Sequence, residues 1–378
     1  MQHWRLFYFL SVFFSALCTP MLTQAEEGAS STPIGSQLLV DMSSGQTIAS
    51  TNADSAFSSE ASSVVLKLYA ALEYLNEHNH PLEKTLRTEI KVKKRQTSYE
   101  NSIEGYLCAY ILSQKEAYLN EILEGLKVEK TEFNDYLKKK FSELKLKNTW
   151  IDDHGAVSSS LLDLSRTASA LYAKHPIVRT WARMDSIKLK PNKLIVNSNL
   201  LLSQSNAVNG IAYSQMNQSR IGLIIYENKK NSENVRRLFA AAVVDEEDSL
   251  EDAIMNLINL GYRQYETVLL YAEGDTAANI RVYQGTSDKL NLIVPRDISI
   301  TLPKSDVISD DYKKLLSASI VYDKNIRAPI AKDAEIGTLL IKYNGEIIAK
   351  SVVVAGEDVE VSGLFSKLLD NIDRAVEK

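Results

Sequence analysis

The chain has 378 residues and a formal net charge of -5 at pH 7, and 45% of its residues are hydrophobic. The acidic balance argues against nucleic acid as the main partner, because phosphate backbones are bound by clustered positive charge. The length predicts two domains, or one large and one small, with enough apolar residues for a sizeable core.

The first 25 residues have the pattern of a secretory signal peptide. Arg5 precedes an apolar run over residues 6–17, and Thr23-Gln24-Ala25 supplies the small residue that suits signal-peptidase cleavage. The run holds about 12 residues, fewer than the roughly 20 that a helix needs to span a bilayer. The pattern therefore predicts export to a bacterial periplasm, and a retained membrane anchor is the alternative.

Cleavage after residue 25 leaves Cys108 as the single cysteine, which excludes an internal disulfide. Cys108 lies within the apolar stretch 106–112, so we expect a buried core thiol and not a nucleophile. Stability must then come from the size of the core.

Residues 30–267 combine strand and helix patterns. A strand over residues 36–41, a turn at Ser43-Ser44-Gly45-Gln46 and a returning strand over 47–50 predict a hairpin. Further on, apolar spacing predicts helices over 64–75, 133–146 and 161–172, strands over 221–226 and 238–244, and a helix over 250–260. Gly261 is the predicted stop of that last helix. The order of these elements predicts an α+β sandwich.

From residue 268 the pattern changes to short alternating runs, which predict a small all-β domain over residues 268–360. We place the domain boundary at residues 268–274, a connection that contains Gly274. The predicted strands are 280–283, 290–294, 298–302, 318–322, 337–343 and 347–354. Residues 361–378 follow as an amphipathic helix, with apolar side chains on one face from Val361 to Val376.

Two charged runs and one histidine pair have no predicted chemical role. We expect Lys138-Lys139-Lys140 and Asp245-Glu246-Glu247-Asp248 to be solvated surface. His78 and His80 are two residues apart, so they do not share a helix face, and no third metal ligand is evident nearby. We therefore predict loop histidines, with no metal and no cofactor.

The first half of the chain contains the framework of a known active site without its reacting groups. The hairpin over 38–50, followed by Asn52-Ala53-Asp54, resembles the opening of D-alanyl-D-alanine carboxypeptidases, where a Pro-Ala-Ser-Leu-Thr-Lys segment follows at a fixed interval. The same interval places Ala61 at the nucleophile position and Val64 at the lysine position. In the Ser-x-x-Lys motif the amine takes the serine proton, which alanine and valine cannot reproduce.

The two remaining motifs of the family have also changed. Its Ser-x-Asn motif falls on Ser113-Gln114-Lys115, where an ammonium that only donates replaces an amide that donates and accepts. Its Lys-Thr-Gly motif, placed by the lead-in Val208-Asn209-Gly210-Ile211, falls on Ala212-Tyr213-Ser214. Ser113 could serve as a helix cap instead of a catalytic group.

The chain thus resembles the low-molecular-weight, class C penicillin-binding proteins. The resemblance implies a penicillin-binding, β-lactamase-like transpeptidase domain, in which Ala61, Ser113 and Ala212 meet at one cleft. It also implies that the terminal helix contacts the inner membrane, only weakly because its basic and acidic residues balance. Packing of that helix on its own β domain is the alternative.

The lost motifs predict a catalytically inactive envelope protein that binds a peptidoglycan stem peptide or another envelope protein. The alternative is an active serine-type D-alanyl-D-alanine carboxypeptidase with a displaced nucleophile, Ser63, and either Lys67 or Lys115 as its base. A structural interaction module that ignores peptidoglycan is a third possibility.

Overall fold

The computed structural model describes residues 34–92, 95–216, 218–229 and 235–363. The predicted signal peptide and all but the first three residues of the predicted terminal helix lie outside these ranges. In the first domain the strands and helices follow one another as β1 (Gln37–Asp41), β2 (Thr47–Thr51), β3 (Phe57–Ser58), α1 (Glu60–Glu77), β4 (Thr85–Val92), β5 (Arg95–Ser102), α2 (Ile103–Ser113), α3 (Ala117–Leu126), α4 (Lys130–Glu143), β6 (Thr149–Ile151), β7 (Val157–Ser159), α5 (Leu161–Lys174), α6 (Val178–Ala182), β8 (Ser186–Leu189), β9 (Lys193–Val196), β10 (Val208–Met216), β11 (Ser219–Lys229), β12 (Val235–Asp245) and α7 (Leu250–Gln264).

The second domain is built mainly from strands, in the order β13 (Tyr265–Tyr271), β14 (Thr276–Arg281), β15 (Lys289–Ile293), β16 (Ile298–Pro303), α8 (Lys304–Ile308), α9 (Tyr312–Leu315), β17 (Leu316–Tyr322), β18 (Glu335–Tyr343) and β19 (Glu346–Ala355). A five-stranded sheet has the order β14-β15-β19-β18-β17, and β13 pairs with β16 beside it. The predicted α+β fold with a β-rich second domain is confirmed.

A five-stranded antiparallel sheet with the order β10-β11-β12-β1-β2 organises the first domain. Because successive side chains of a strand point to opposite faces of the sheet, the sheet contributes residues to two cores. Leu38 and Phe239 face the core that includes α1, α2 and α5, while Leu39 and Ala240 face the core that includes α7. The sheet is therefore covered on both faces, as the sandwich prediction requires.

Helix α1 runs through the middle of the first domain and is buried almost continuously from Ala61 to Leu75. Its N-terminus is fixed by Ser59, whose hydroxyl oxygen accepts a hydrogen bond from the Ser62 amide at 3.0 Å. A helix that is buried on most sides makes close contact with several elements. The start of α1, where the motif positions lie, is consequently held in one orientation.

The two domains are joined at a buried carboxylate. Asp41, at the end of β1, is fully buried and accepts a hydrogen bond from Arg236 Nε at 2.8 Å and another from the Thr267 hydroxyl. Arg236 also donates to the carbonyl oxygens of Gly261 and Tyr265. Charge-assisted hydrogen bonds of this kind position their partners tightly.

The structure corrects the predicted end of α7. The helix does not stop at Gly261 but continues to Gln264. A Cβ atom built on Gly261 would lie 2.7 Å from Leu238 Cδ1 and 3.1 Å from Leu39 Cδ2, so this glycine allows the helix to approach the sheet closely. The strand that follows, β13, pairs with β16 of the second domain, and that domain therefore begins three residues before the predicted 268.

The lysine run was also wrongly predicted to be entirely solvated. Lys138 and Lys139 are exposed, but the Lys140 side chain is 3% exposed and donates to Glu77 at 2.6 Å and to Glu143 at 2.8 Å. It lies on the side of α4 that packs on α1, where paired carboxylates compensate the burial of its charge.

The start of the predicted terminal helix differs as well. Val361 forms an isolated antiparallel bridge with Gly285 instead of a helical turn. Among the described residues, no helix is both long and apolar enough to cross a membrane.

Candidate functional site

The positions that the sequence analysis assigns to the family nucleophile and its neighbours lie inside the hydrophobic core. Ala61 is 0% exposed, and Val64 and Ala212 are each 1% exposed. All three belong to the same core cluster of the first domain. None of these three side chains carries a hydroxyl or an amine.

Three segments that are far apart in sequence nevertheless converge here. The Tyr110 hydroxyl of α2 contacts the Ser63 carbonyl oxygen of α1 at 3.4 Å. The backbone amide of Tyr213 on β10 donates to Gln114 Oε1 at 3.2 Å, and α1 packs against β10. The start of α1, the end of α2 and β10 therefore meet, as the motif assignment expects for Ala61, Ser113 and Ala212.

Ser113 has no free hydroxyl for chemistry and does not cap the start of a helix. It is the last residue of α2, and its Oγ donates to the Ala109 carbonyl oxygen at 2.6 Å. The same oxygen accepts a weak bond from the Lys115 amide at 3.4 Å. The side chain thus satisfies backbone groups at the end of α2, while Lys115 is exposed.

Gln114 closes the edge of β10. Its backbone is left-handed, with φ 57°, which ends α2 and turns the side chain towards the sheet. β10 is an edge strand, and the Tyr213 amide points away from β11 because it donates to Gln114 Oε1. Gln114 Nε2 in turn donates to the Ser198 hydroxyl at 3.1 Å. An extended peptide that paired with β10 at Tyr213 would have to displace the side-chain amide of Gln114.

A water-accessible cavity of about 510 Å³ opens on the adjacent side of α1. We call it the polar groove. It is lined by residues from the start of α1, the end of α2 and the turn between β6 and β7, namely Ser58, Ser59, Glu60, Ser63, Tyr110, Gln114, Lys115, Glu116, His154, Gly155 and Ala156. The lining offers one ammonium, two carboxylates and several hydrogen-bonding groups.

Lys67 lies beside one end of the polar groove and contacts two of its lining residues. It is 2% exposed, and its ammonium donates to Glu116 Oε1 at 2.7 Å and to the Gly155 carbonyl oxygen at 2.8 Å. Beyond this bridge lies a second cavity of about 170 Å³, which shares Glu116, His154 and Gly155 with the first. The ammonium is therefore directed at these two oxygens and makes no hydrogen bond to the Ser63 hydroxyl within the described structure.

Tyr110 contributes a phenol to the lining of the polar groove. Burial raises its pKa well above the usual value, and the nearby carboxylates of Glu116 and Glu60 raise it further. A neutral phenol remains a hydrogen-bond donor and does not supply a base at neutral pH.

Cys108 lies in the core of α2, away from the polar groove. Burial raises the pKa of its thiol to about 12, with a smaller contribution from Glu104. A thiol with so high a pKa is protonated at neutral pH, so Cys108 is a poor nucleophile.

Sequence reasoning did not find Glu60, Glu116 or His154 as members of a site. They come from three separate segments, and each is a common exposed residue type. The one local signal was His154-Gly155, which marks a turn: Gly155 has φ 84°.

His78 ends α1, and its Nδ1 lies 2.8 Å from the Tyr74 carbonyl oxygen. The residues that the structure describes contain no cluster of metal-ligating side chains.

Comparison with known proteins agrees with this architecture. Residues 265–361 match the family model of the penicillin-binding protein 5 C-terminal domain. The chain is 29% identical over 245 residues to the D-alanyl-D-alanine carboxypeptidase DacF of Bacillus subtilis, an alignment that covers 63% of this chain and 61% of that protein. The chain therefore aligns with less than two thirds of that relative's length.

Solved structures show the same fold. Penicillin-binding protein 5 of Haemophilus influenzae superimposes with a TM-score of 0.69 and 19% identity, over 88% of this chain and all of that one. Penicillin-binding protein 6B of Escherichia coli gives a TM-score of 0.59 and 15% identity, over 85% of this chain and 96% of that one. The fold is that of a low-molecular-weight penicillin-binding protein.

The sequence relatives, the matched C-terminal domain and the fold agree. The chain is similar in sequence and in fold to the D-alanyl-D-alanine carboxypeptidases.

Proposed function

We propose that this protein is an exported, catalytically inactive member of its family that binds the stem peptide of peptidoglycan in the bacterial envelope. One observation carries the proposal: Ala61, Val64 and Ala212 replace reacting groups with apolar side chains, and all three are buried in the core. Acyl transfer needs an oxygen nucleophile and a base within hydrogen-bond reach of it. Position 61 has no oxygen, and position 64 has no base.

The polar groove supports binding of a stem peptide. Such a peptide carries carboxylates, amides and, at a diamino acid, an ammonium. Lys115 offers a cation for a carboxylate, and Glu60 and Glu116 offer anions for an ammonium. Glu116 is 51% exposed even though it pairs with Lys67, so its second oxygen remains accessible to a ligand. Another envelope protein is the competing occupant.

The active alternative places the nucleophile at Ser63. Ser63 does line the polar groove. Lys67, however, uses its ammonium on Glu116 and Gly155. Lys115 is exposed, and no contact in the described structure directs its ammonium at the Ser63 hydroxyl. These contacts favour the inactive reading.

Covalent labelling tests the absence of catalysis. The mature protein is incubated with a fluorescent penicillin beside an active carboxypeptidase of the family, and release of D-alanine from a D-alanyl-D-alanine peptide is measured. We expect neither label nor product, and we expect the same of Ala61→Ser, because Val64 cannot accept the serine proton. Labelling that disappears in Ser63→Ala would establish the displaced nucleophile.

Binding is tested with a soluble stem pentapeptide by titration calorimetry. Lys115→Ala and Glu60→Ala should each weaken binding by about three- to tenfold, the loss of one charge-assisted contact at a partly solvated site. Lys324→Ala, at an exposed lysine of the second domain, is the matched control. Equal affinity in all variants would exclude the polar groove as the binding site.

Membrane association through residues 361–378 is a separate part of the proposal. These residues have an apolar face with balanced charge, which favours weak binding to the inner membrane from the periplasmic side. A chain ending at Gly363 should leave the membrane fraction. Unchanged fractionation of that shortened chain would exclude the anchor.

A further inference from the structure

The five-stranded sheet of the second domain has an open edge at β17. This strand pairs with β18 along its whole length, from Leu316 opposite Tyr343 to Tyr322 opposite Gly337, without a register shift. Within the residues that the structure describes, no strand pairs with its other side. In an antiparallel ladder every second residue directs its amide and carbonyl groups away from its neighbour, so β17 presents a row of backbone groups that a further strand can bind.

The other sheet edges of the described chain each have a feature that opposes such pairing. β10 is covered by the Gln114 side chain, and β16 contains Pro303. β2, β13 and β14 belong to ladders with register shifts, and β3 and β6 hold only two and three residues. β4, β5, β8 and β9 carry charged side chains. Charges, prolines, bulges and short length all hinder edge-to-edge contact, and β17 has none of them.

The two faces of β17 show which side chains a further strand would meet. Leu316, Ile320 and Tyr322 pack against the core of the second domain and are half-buried. Ser319 and Val321 therefore point to the opposite face, where both are exposed, Val321 to 61%. A strand added at the open edge would cover apolar surface on both faces, which favours its binding.

The sequence of β17 is complementary to a second copy of itself. Around a two-fold axis at Ser319, the small Ser317 lies opposite the partner's Val321, and the small Ala318 lies opposite the partner's Ile320. Such an axis also brings identical side chains close together, and like charges placed opposite one another destabilise a sheet. β17 has no charged residue, so its two copies meet without repulsion within the strand. These features favour a second copy of the chain over a strand of a different protein.

We propose that the protein forms a symmetric homodimer in which the β17 strands of two copies pair antiparallel and join their five-stranded sheets into one. The contact uses the same edge of both copies, so assembly stops at the dimer. A single pair of strands buries less than the roughly 1,200 Å² of a standard interface. The dimer is therefore reversible, with a dissociation constant in the micromolar range.

Sedimentation equilibrium of the mature protein between about 1 and 100 µM measures the association. We expect a monomer–dimer equilibrium that Ser319→Lys weakens about fivefold or more, because two ammonium groups would face each other at the axis. The Ser319 side chain is exposed, so the substitution should leave the fold intact. Ser50→Lys, at an exposed serine of the edge strand β2, is the matched control and should dimerise like the native protein.

Oxidative cross-linking tests the register. Ser319→Cys should form a disulfide between two copies, because opposite residues of an antiparallel pair have Cα atoms about 4.5–5.5 Å apart, within the range of a disulfide. Cys108 is buried and should not react. Ser50→Cys is the control and should stay monomeric.

Three results would each overturn the homodimer. The first is a native protein that remains monomeric over the whole concentration range, which would assign the open edge to a strand of another protein. The second is a dimer that Ser319→Lys leaves unchanged. The third is cross-linking of Ser50→Cys to the same extent as Ser319→Cys.

Discussion

Two neighbouring faces of α1 have opposite characters. Ala61 and Val64, which we assign to the places of the family's serine and lysine, pack into the core. Glu60, Ser63 and Lys67 have the spacing of an adjacent helix face and line the polar groove and its continuation. One face is apolar and structural, whereas the other carries polar groups that line the polar groove and its continuation.

The difference separates what the fold needs from what the reaction needs. A serine and lysine pair at positions 61 and 64 would have to be solvated or hydrogen-bonded, and both would weaken the packing between α1 and β10. Apolar residues at positions 61 and 64 need neither solvation nor a hydrogen-bond partner. The core then packs closely at these two positions, and the polar side chains of α1 lie on the neighbouring face.

The largest expected effect comes from placing a charge on the buried face. Val64→Lys should lower the free energy of unfolding by about 3–5 kcal/mol, because the ammonium would be buried without a partner. Urea unfolding measures the change. Ser63→Lys, one residue away on the groove face, should cost less than about 1 kcal/mol. Similar losses in the two variants would show that the faces do not differ.

Lys67 should have an intermediate effect. Lys67→Ala removes a buried side chain and two hydrogen bonds, and we expect a loss of about 2–3 kcal/mol. Lys67→Met keeps the length of the side chain, and Glu116 can turn towards water, so a loss of about 1 kcal/mol is expected. If both substitutions destabilise the protein equally, the bridge to Glu116 and Gly155 matters more than the packing of the side chain.

Gln114 offers a smaller and sharper test. Gln114→Ala keeps the left-handed backbone but removes the bond to the Tyr213 amide, and should cost about 1–2 kcal/mol. Gln114→Gly loses the same bond, yet glycine relieves the left-handed conformation and should be about 1 kcal/mol more stable than the alanine variant. In both, the Tyr213 amide should exchange its hydrogen faster. Unchanged exchange would refute the closure of β10 by Gln114.

The smallest expected effect is a pH dependence of the free energy of unfolding. It arises from charged groups near the C-terminal end of α1. Glu73 Oε1 is 2.8 Å from His175 Nε2, and Glu73 Oε2 accepts from Lys174 at 2.6 Å. Burial raises the pKa of Glu73, but hydrogen bonds from Lys174 and His175 outweigh it, so the pKa lies below the usual 4.5. Burial lowers the pKa of His175 below the usual 6.5, partly offset by Glu73.

Both groups bind protons less readily in the folded chain than in the unfolded chain. Stability should therefore fall as the pH drops through the usual titration range of histidine, and fall again below that of glutamate. Urea unfolding between pH 7 and pH 5 measures the first step, which His175→Gln should reduce. An identical slope in that variant would assign the pH dependence to other groups.

Much of the fold followed from local pattern. The hairpin of β1 and β2, the helices α1, α4 and α5, and most strands of the second domain lie where apolar periodicity placed them, because their buried faces are set by packing in strictly periodic elements. The family motifs also predicted that α1, α2 and β10 lie close together.

The rest depended on contacts between distant segments. Gly261 looked like a helix end, but it is a point of close approach to Leu238. Lys140 looked solvated, but it is buried among carboxylates of α1 and α4. The polar groove is lined by residues from three segments, and no short sequence pattern predicts such a site. Ser113 kept the family residue, yet its hydroxyl is bonded to the Ala109 carbonyl oxygen.

The side chain of Gln114 on the edge of β10 has a consequence for solubility. An enzyme that pairs extended peptides with a sheet must leave an edge strand open, and open edges also promote association between copies of the chain. A protein that does not process such peptides, as we propose for this chain, has no need of that edge. With the Tyr213 amide covered by its own chain, β10 should resist edge-to-edge aggregation better than the corresponding strand of an active relative.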